Sequence, residues 1–156
     1  GYTRRVAEAL ARHLGAQLAS IDEARPRDGT WGYLRSAWEA LRGREVGVGA
    51  PALDLAEYDL VVLGTPVWAS HPSSPARSFA LQHGQHIERL ARFCTFGGSG
   101  AEAALGELQR VLHHTPLATL ALTDREIEAG TADARIEAFA ATLRAKLPAP
   151  VMKQAA

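Results

Sequence analysis

Cysteine is almost absent from this chain: Cys94 is the only one, which excludes an internal disulfide framework and any cysteine-rich metal site and fits a reducing cytoplasm. Net charge is missing as well. Seventeen Lys and Arg balance 17 Asp and Glu, so no excess of positive field argues for nucleic acid or an anionic membrane as the partner. No apolar run is long enough for a bilayer. The longest, Leu60 to Ala69, is half a membrane span and is broken by Gly64, Thr65 and Pro66, so it reads as a buried strand running into a loop. Lysine is scarce, with Lys146 and Lys153 the only two, and together with abundant alanine this suggests GC-rich coding and a bacterial source. Internal repeats and low-complexity segments are lacking too. What is present is 156 residues, 47% of them apolar, the size of a single domain with enough apolar surface for a core.

Helical and strand-like segments alternate along the chain. Val6, Leu10 and Leu14 recur at four-residue steps before Gly15, so the chain opens inside a helix that stops there. Ala16 to Ile21 is short and apolar and reads as a strand. Trp31, Leu34, Trp38 and Leu41 share a helix face that ends near Gly43, and a loop follows to Pro51. Tyr58 to Gly64 is the clearest strand, a continuous apolar run of the kind a parallel sheet buries on both faces, and it is expected to stop at Thr65-Pro66. Ser74-Pro75 reads as N-cap and first helical residue of a helix turning Phe79 inward. Arg92 to Phe96 is strand-like, and Ser99 and Glu102 are spaced as a capping box for the helix carrying Leu105, Leu108, Val111 and Leu112. Leu117 to Leu122 forms a further strand, and Ile136, Phe139 and Leu143 line a last helix after Thr131. This order calls for a parallel sheet with helices on both faces, whose ligand site lies beyond the carboxyl ends of the strands. Three segments meet that requirement: Gly1 to Thr3, Thr65 to Ser74 and Phe96 to Gly100.

Each has a plain reading beside a functional one. Gly1-Tyr2-Thr3 opening a helix offers free backbone N–H groups and a hydroxyl to a phosphate, but threonine is also an ordinary N-cap. Trp68, directly after a buried strand, offers a flat face to a planar ligand or simply anchors its loop. Gly97, Gly98 and Gly100 allow main-chain N–H groups to reach a ligand, and a strand-to-helix turn uses glycines as well. Gly98-Ser99-Gly100-Ala101-Glu102-Ala103, with Asp124 about 20 residues on, matches the dinucleotide fingerprint in outline. That unit normally opens a domain, and here one strand and one helix remain. A nucleophile elbow at Ser99 lacks an acid followed by a histidine, since the last histidine is His114. His83 with His86 and His113 with His114 lack a third ligand at metal spacing and read as solvated. Cys94 lies in a buried strand and behaves as a small hydrophobe. Arg4, Arg5 and Arg77 are most simply solvated, and Trp31 and Trp38 are packing residues.

Taken together, Gly1-Tyr2-Thr3, the stretch from Asp59 to Gly64-Thr65-Pro66-Val67-Trp68, the Ser74-Pro75 helix start and Thr95-Phe96-Gly97-Gly98-Ser99-Gly100 resemble the flavodoxin family over nearly the whole chain. The resemblance implies a flavodoxin-like three-layer α/β/α sandwich with a parallel sheet and FMN at its switch point. It implies that Tyr2 and Thr3 hold the FMN phosphate. Thr65, Pro66, Val67, Trp68 and Ala69 would then form one wall of the ring site, with Trp68 against the ring, and Phe96, Gly97, Gly98 and Ser99 the other. It further implies an electron carrier, or an NAD(P)H-dependent flavin or quinone oxidoreductase, exchanging electrons with a partner protein or a small-molecule donor or acceptor. The flavin does the chemistry, and no catalytic acid or base is required of the protein. Family members begin with a hydrophobic strand and a hydroxyl-rich stretch ahead of this Gly-x-Thr. The single domain over 1–156 is therefore expected to be N-terminally incomplete, lacking its first strand and binding FMN poorly as written. The alternatives are a nicotinamide-dinucleotide-binding module using Gly98 to Ala103 and Asp124, and a non-catalytic α/β interaction domain that has lost flavin.

Overall fold

The computed structural model describes residues 1–21 and 54–148. The expected helix through Trp31 and Trp38 and the loop from Gly43 to Pro51 lie outside the described residues. Helix α1, Tyr2–Leu14, buries Val6 and Leu10 and ends at Gly15 at φ 61°, where the amides of Gly15 and Ala16 return to Arg12 and Ala11. A left-handed residue satisfies the last carbonyls of a helix in this way, and glycine reaches that conformation without a Cβ penalty. After a 3-10 turn at Leu55–Glu57 come β1 (Val61–Trp68), β2 (His71–Pro72), α2 (Ser74–His83), β3 (Leu90–Phe96), α3 (Ala101–Leu112), β4 (Thr119–Thr123), α4 (Asp124–Glu128) and α5 (Asp133–Lys146).

The sheet order is β2-β1-β3-β4. β1 and β3 run parallel in register from Val61 opposite Leu90 to Pro66 opposite Thr95, and β3 and β4 from Arg92 opposite Thr119 to Phe96 opposite Thr123. The expectation of a purely parallel sheet is corrected by β2, which turns back antiparallel on the end of β1, pairing Val67 with Pro72 and Trp68 with His71. Alternation along the strands builds two cores. Ala91, Phe93, Leu120 and Leu122 pack with Val6 and Leu10 of α1 and Ile136, Phe139 and Leu143 of α5. Leu63 and Leu90 face Phe79 of α2 and Leu108 and Leu112 of α3 on the other side. The architecture is therefore helix layer, sheet, helix layer.

Four local expectations change. β1 does not stop at Thr65-Pro66 but continues to Trp68. Pro66 is accommodated because, among the described residues, β1 has only β3 beside it there, and a strand partnered on one side tolerates a missing N–H. Residues 16–20 are exposed and 16–21 belong to no strand, since a strand needs a neighbouring ladder and none of the described strands supplies one. The helix after the glycine loop starts at Ala101 behind Gly100, with no side-chain cap, so Ser99 and Glu102 form no capping box. The N-cap of α2 is Ser73, one residue earlier than expected, with Pro75 inside the first turn.

The capping box occurs instead at Thr123 and Glu126. The Glu126 amide donates to Thr123 Oγ1 at 3.2 Å, and the Thr123 amide donates to Glu126 Oε2 at 2.7 Å. Arg135 adds a bond to Glu126 Oε1 at 2.6 Å. These donors, the Thr123 amide foremost and then its hydroxyl, hold the Glu126 carboxyl down at about 2, against an ordinary 4.5. A depressed carboxyl stabilises the fold above its unfolded-state value, and that contribution fades as pH falls from about 4.5 towards 2. Glu126→Gln is thus expected to flatten the loss of stability across that interval in urea melts. A variant with the wild-type acid slope would show that Glu126 does not carry the dependence.

Candidate functional site

The carboxyl ends of β1 and β3 are where the three sequence-selected segments meet. α1 reaches this end through Thr3, whose Oγ1 lies 2.7 Å from Thr95 Oγ1 at the end of β3. Gly1 offers α1 no side-chain cap, and no acidic residue occupies the first turn. The first helical bond runs from the Arg5 amide to Gly1 at 3.2 Å, so the amides of Tyr2, Thr3 and Arg4 precede it and point out of the helix. Tyr2 turns its ring elsewhere. Its phenol donates to Glu128, an interaction that raises its pKa, and the ring packs against the α1 and α5 core. Only the backbone of Tyr2 remains for the mouth of the site.

The second segment is a hairpin. Trp68 and His71 are register partners across Ala69 and Ser70, which both take positive φ, 49° and 65°. A two-residue hairpin of type I′ needs that geometry at both central positions, usually with Asn-Gly, and alanine and serine adopt it at a cost. What holds the turn is its surroundings. Thr65 is fully buried, and its hydroxyl accepts the Ser73 amide at 2.9 Å and lies 2.9 Å from Pro66 O and 3.3 Å from Ser73 Oγ. Its side chain therefore locks the hairpin to the start of α2 and offers no hydroxyl to a ligand. On the far side of the turn, a Cβ built on Gly100 would sit 2.7 Å from Ser70 Cα. The two loops are docked backbone to backbone through that glycine. Pro66, Val67 and Trp68 stay half-buried at the strand end, while Ala69 is exposed.

The third segment, Gly97, Gly98 and Ser99, is exposed and follows the half-buried Phe96, and Gly97 lies beside the Asp124 carboxylate at the start of α4. Of the expected site residues, Thr3, Trp68 and Phe96 bring side chains to this end, Gly97 and Gly98 bring backbone, and Thr65 serves the scaffold. The dinucleotide alternative loses ground here. Its second glycine, Gly100, should let a pyrophosphate approach the helix, and Ser70 takes that approach.

Glu107 and His71 carry no sequence signal of their own, yet both bear on this end of the sheet. Glu107 of α3 accepts from Arg77 Nε at 2.8 Å and meets His71 Nδ1 at 2.7 Å, tying the hairpin, α2 and α3 together. Arg77 is thus paired and half-buried, not solvated as expected. His83 is also half-buried, with its ring 5.0 Å from that of Phe79. His86 and His113 are exposed, as expected, whereas His114 is half-buried. Thr95, 3% exposed, carried no separate sequence signal. Burial pushes the Cys94 thiol up to about 11, so it stays a neutral core group. Among the described residues no cluster of His, Cys, Asp or Glu could hold a metal, and no helix is long and apolar enough to cross a membrane.

Among solved structures the chain is similar to a flavoprotein of Lactobacillus acidophilus determined in complex with FMN. The two share 19% identity over 83% of this chain and 90% of the other, with a TM-score of 0.63. It is also similar to candidate flavoproteins of Bacteroides eggerthii, at 22% identity over 83% and 88% of the two chains with a TM-score of 0.67, and of Bacteroides uniformis, at 21% identity over 86% and 90% with a TM-score of 0.66. No family model and no curated relative matches the sequence. The likeness establishes the fold, a flavodoxin-like α/β/α sandwich around a central mixed sheet.

Proposed function

We infer that this chain is a flavin-binding redox domain that takes FMN at the carboxyl ends of β1 and β3. The observation that carries the reading is the convergence there of three different kinds of group: uncapped amides with a hydroxyl, a half-buried tryptophan, and an exposed glycine loop. The groups suit the two ends of FMN. The amides of Tyr2 and Thr3, the Thr3 hydroxyl and the positive end of the α1 dipole meet a phosphate without a lysine. Trp68, with Pro66, Val67 and Ala69, forms one wall for a planar ring, and Phe96 with the amides of Gly97, Gly98 and Ser99 forms the other. Thr65 keeps the first wall in place from behind. FMN, when bound, supplies the hydride and electron chemistry, and these residues bind and orient it and exclude water from one ring face. The solved relative with FMN in it supports this reading, since its fold extends over most of this chain.

The balanced charge, 17 against 17, favours an NAD(P)H-dependent flavin or quinone reductase over a carrier that docks through a strongly charged face. Stopped-flow oxidation of NADPH by the FMN-loaded protein separates the two: a rate above that of free FMN marks a reductase, and the free rate marks a carrier. The binding itself is tested by titrating FMN and following the quenching of its fluorescence. Saturable quenching of FMN is expected of the wild-type protein even at modest affinity, and Trp68→Ala is expected to bind on the order of ten- to a hundredfold more weakly still, the range for losing one aromatic stacking platform. Unchanged affinity in Trp68→Ala would remove the ring from that wall.

A further inference from the structure

The Thr3 and Thr95 hydroxyls, 2.7 Å apart, must share one proton between them, and their environments differ. Thr95 is 3% exposed at the end of β3, whereas Thr3 is half-buried in the first turn of α1, at the mouth of the site. Were Thr3 to donate to Thr95, the Thr95 proton would need another acceptor inside the protein, and a buried donor left unmade costs more than an ordinary hydrogen bond contributes. Were Thr95 to donate to Thr3, the buried hydroxyl would be satisfied and the Thr3 proton would point outward, beside the amides of Tyr2 and Thr3. A hydroxyl that accepts one bond is also polarised into a better donor of the next.

We propose that Thr95 is a positioning residue that fixes the Thr3 hydroxyl as an outward donor to the phosphate of the bound nucleotide, so that the end of β3 serves the phosphate as well as the ring. This rests on the FMN reading above. Thr95 touches neither the phosphate nor the ring. Its effect passes through Thr3, and it should be felt by FMN and not by riboflavin, which has the same ring without the phosphate.

That difference defines the test, in which FMN and riboflavin are titrated against the wild-type protein and Thr95 variants. Thr95→Val, which keeps the shape and removes the donor, is expected to weaken FMN by about five- to tenfold, the scale of one ordinary hydrogen bond, since Thr3 keeps its hydroxyl and loses only its orientation, and to leave riboflavin within about twofold. Thr95→Ser restores the hydroxyl and should return FMN affinity to the wild-type level. Thr95→Cys, similar in size with a far weaker donor, carries the same test should the valine variant not fold. Equal weakening of both flavins in Thr95→Val would make Thr95 a packing residue only and overturn the proposal, as would unchanged FMN affinity. A wild-type protein that binds riboflavin but gains nothing from the phosphate would overturn it too, while leaving the ring site intact. A wild-type protein that binds neither flavin overturns the FMN reading itself, and this proposal with it.

Discussion

Replacing Gly100 with alanine is expected to destabilise the protein by about 2–4 kcal/mol and to weaken FMN binding in the same variant. Two independent costs combine. Gly100 stands at φ 86°, where an L-residue is strained by roughly 1–2 kcal/mol. The new Cβ would also lie 2.7 Å from Ser70 Cα and 2.7 Å from Ser70 Oγ, and the first of these is backbone that no rotamer change can move. Relief requires the Trp68–His71 hairpin to lift from the start of α3, which shifts Trp68, the aromatic wall of the proposed ring site. The hairpin has little freedom to follow, because Thr65 and Ser73 hold one end and the Glu107 contacts with His71 and Arg77 hold the other. Urea melts should show a lower midpoint at an unchanged slope, the mark of lost stability without a change in compactness. A midpoint within error of wild type would mean that the loops are not docked through Gly100.

Gly64→Ala is expected to cost about 1–3 kcal/mol for a different reason, overpacking of the sheet face. A Cβ at Gly64 would lie 2.2 Å from Phe93 Cζ and 2.5 Å from Cε1. The Phe93 ring crosses the neighbouring strand there, 2% exposed, in the core shared with α1 and α5. The ring has nowhere to go without displacing that core, so the strain should be specific to the pair. Phe93→Leu alone leaves a cavity and costs stability. The double variant Gly64→Ala, Phe93→Leu should be less destabilised than the sum of the singles by on the order of 1 kcal/mol, because the shorter side chain vacates the space the new methyl needs. Strict additivity would contradict the packing described.

How much of this was legible beforehand follows from what each signal depends on. α1 and its stop were readable because Val6, Leu10 and Gly15 carry a periodic pattern and a terminator within one segment. The three loops of the candidate site were readable because alternating helices and strands dictate where loops must gather. The continuation of β1 through Pro66 was not, because a proline argues against a strand unless one knows that the strand is partnered on one side there. Pro75 points to Ser74 as the cap of α2, and only the Thr65 hydroxyl, waiting for the Ser73 amide, moves the cap to Ser73. Ser99 and Glu102 have the spacing of a capping box but are not used, since Gly100 must adopt a left-handed conformation to meet Ser70 and so moves the helix start. The pairing of Thr3 with Thr95 and that of Glu107 with His71 and Arg77 were not legible for a common reason: each joins residues 30 or more positions apart. The strand expected over Ala16 to Ile21 failed because pairing, not composition, makes a strand.

A flavin site at one end of the sheet, built from its three loops, would be located by amide-resolved NMR during FMN addition. Saturable shifts are expected at Tyr2, Thr3, Trp68, Gly97, Gly98 and Ser99, with the opposite end of the sheet, around Val61, Leu90 and Leu117, unmoved. Saturable shifts centred anywhere else, or no shifts at FMN concentrations well above those that load a flavin domain, would contradict that assignment.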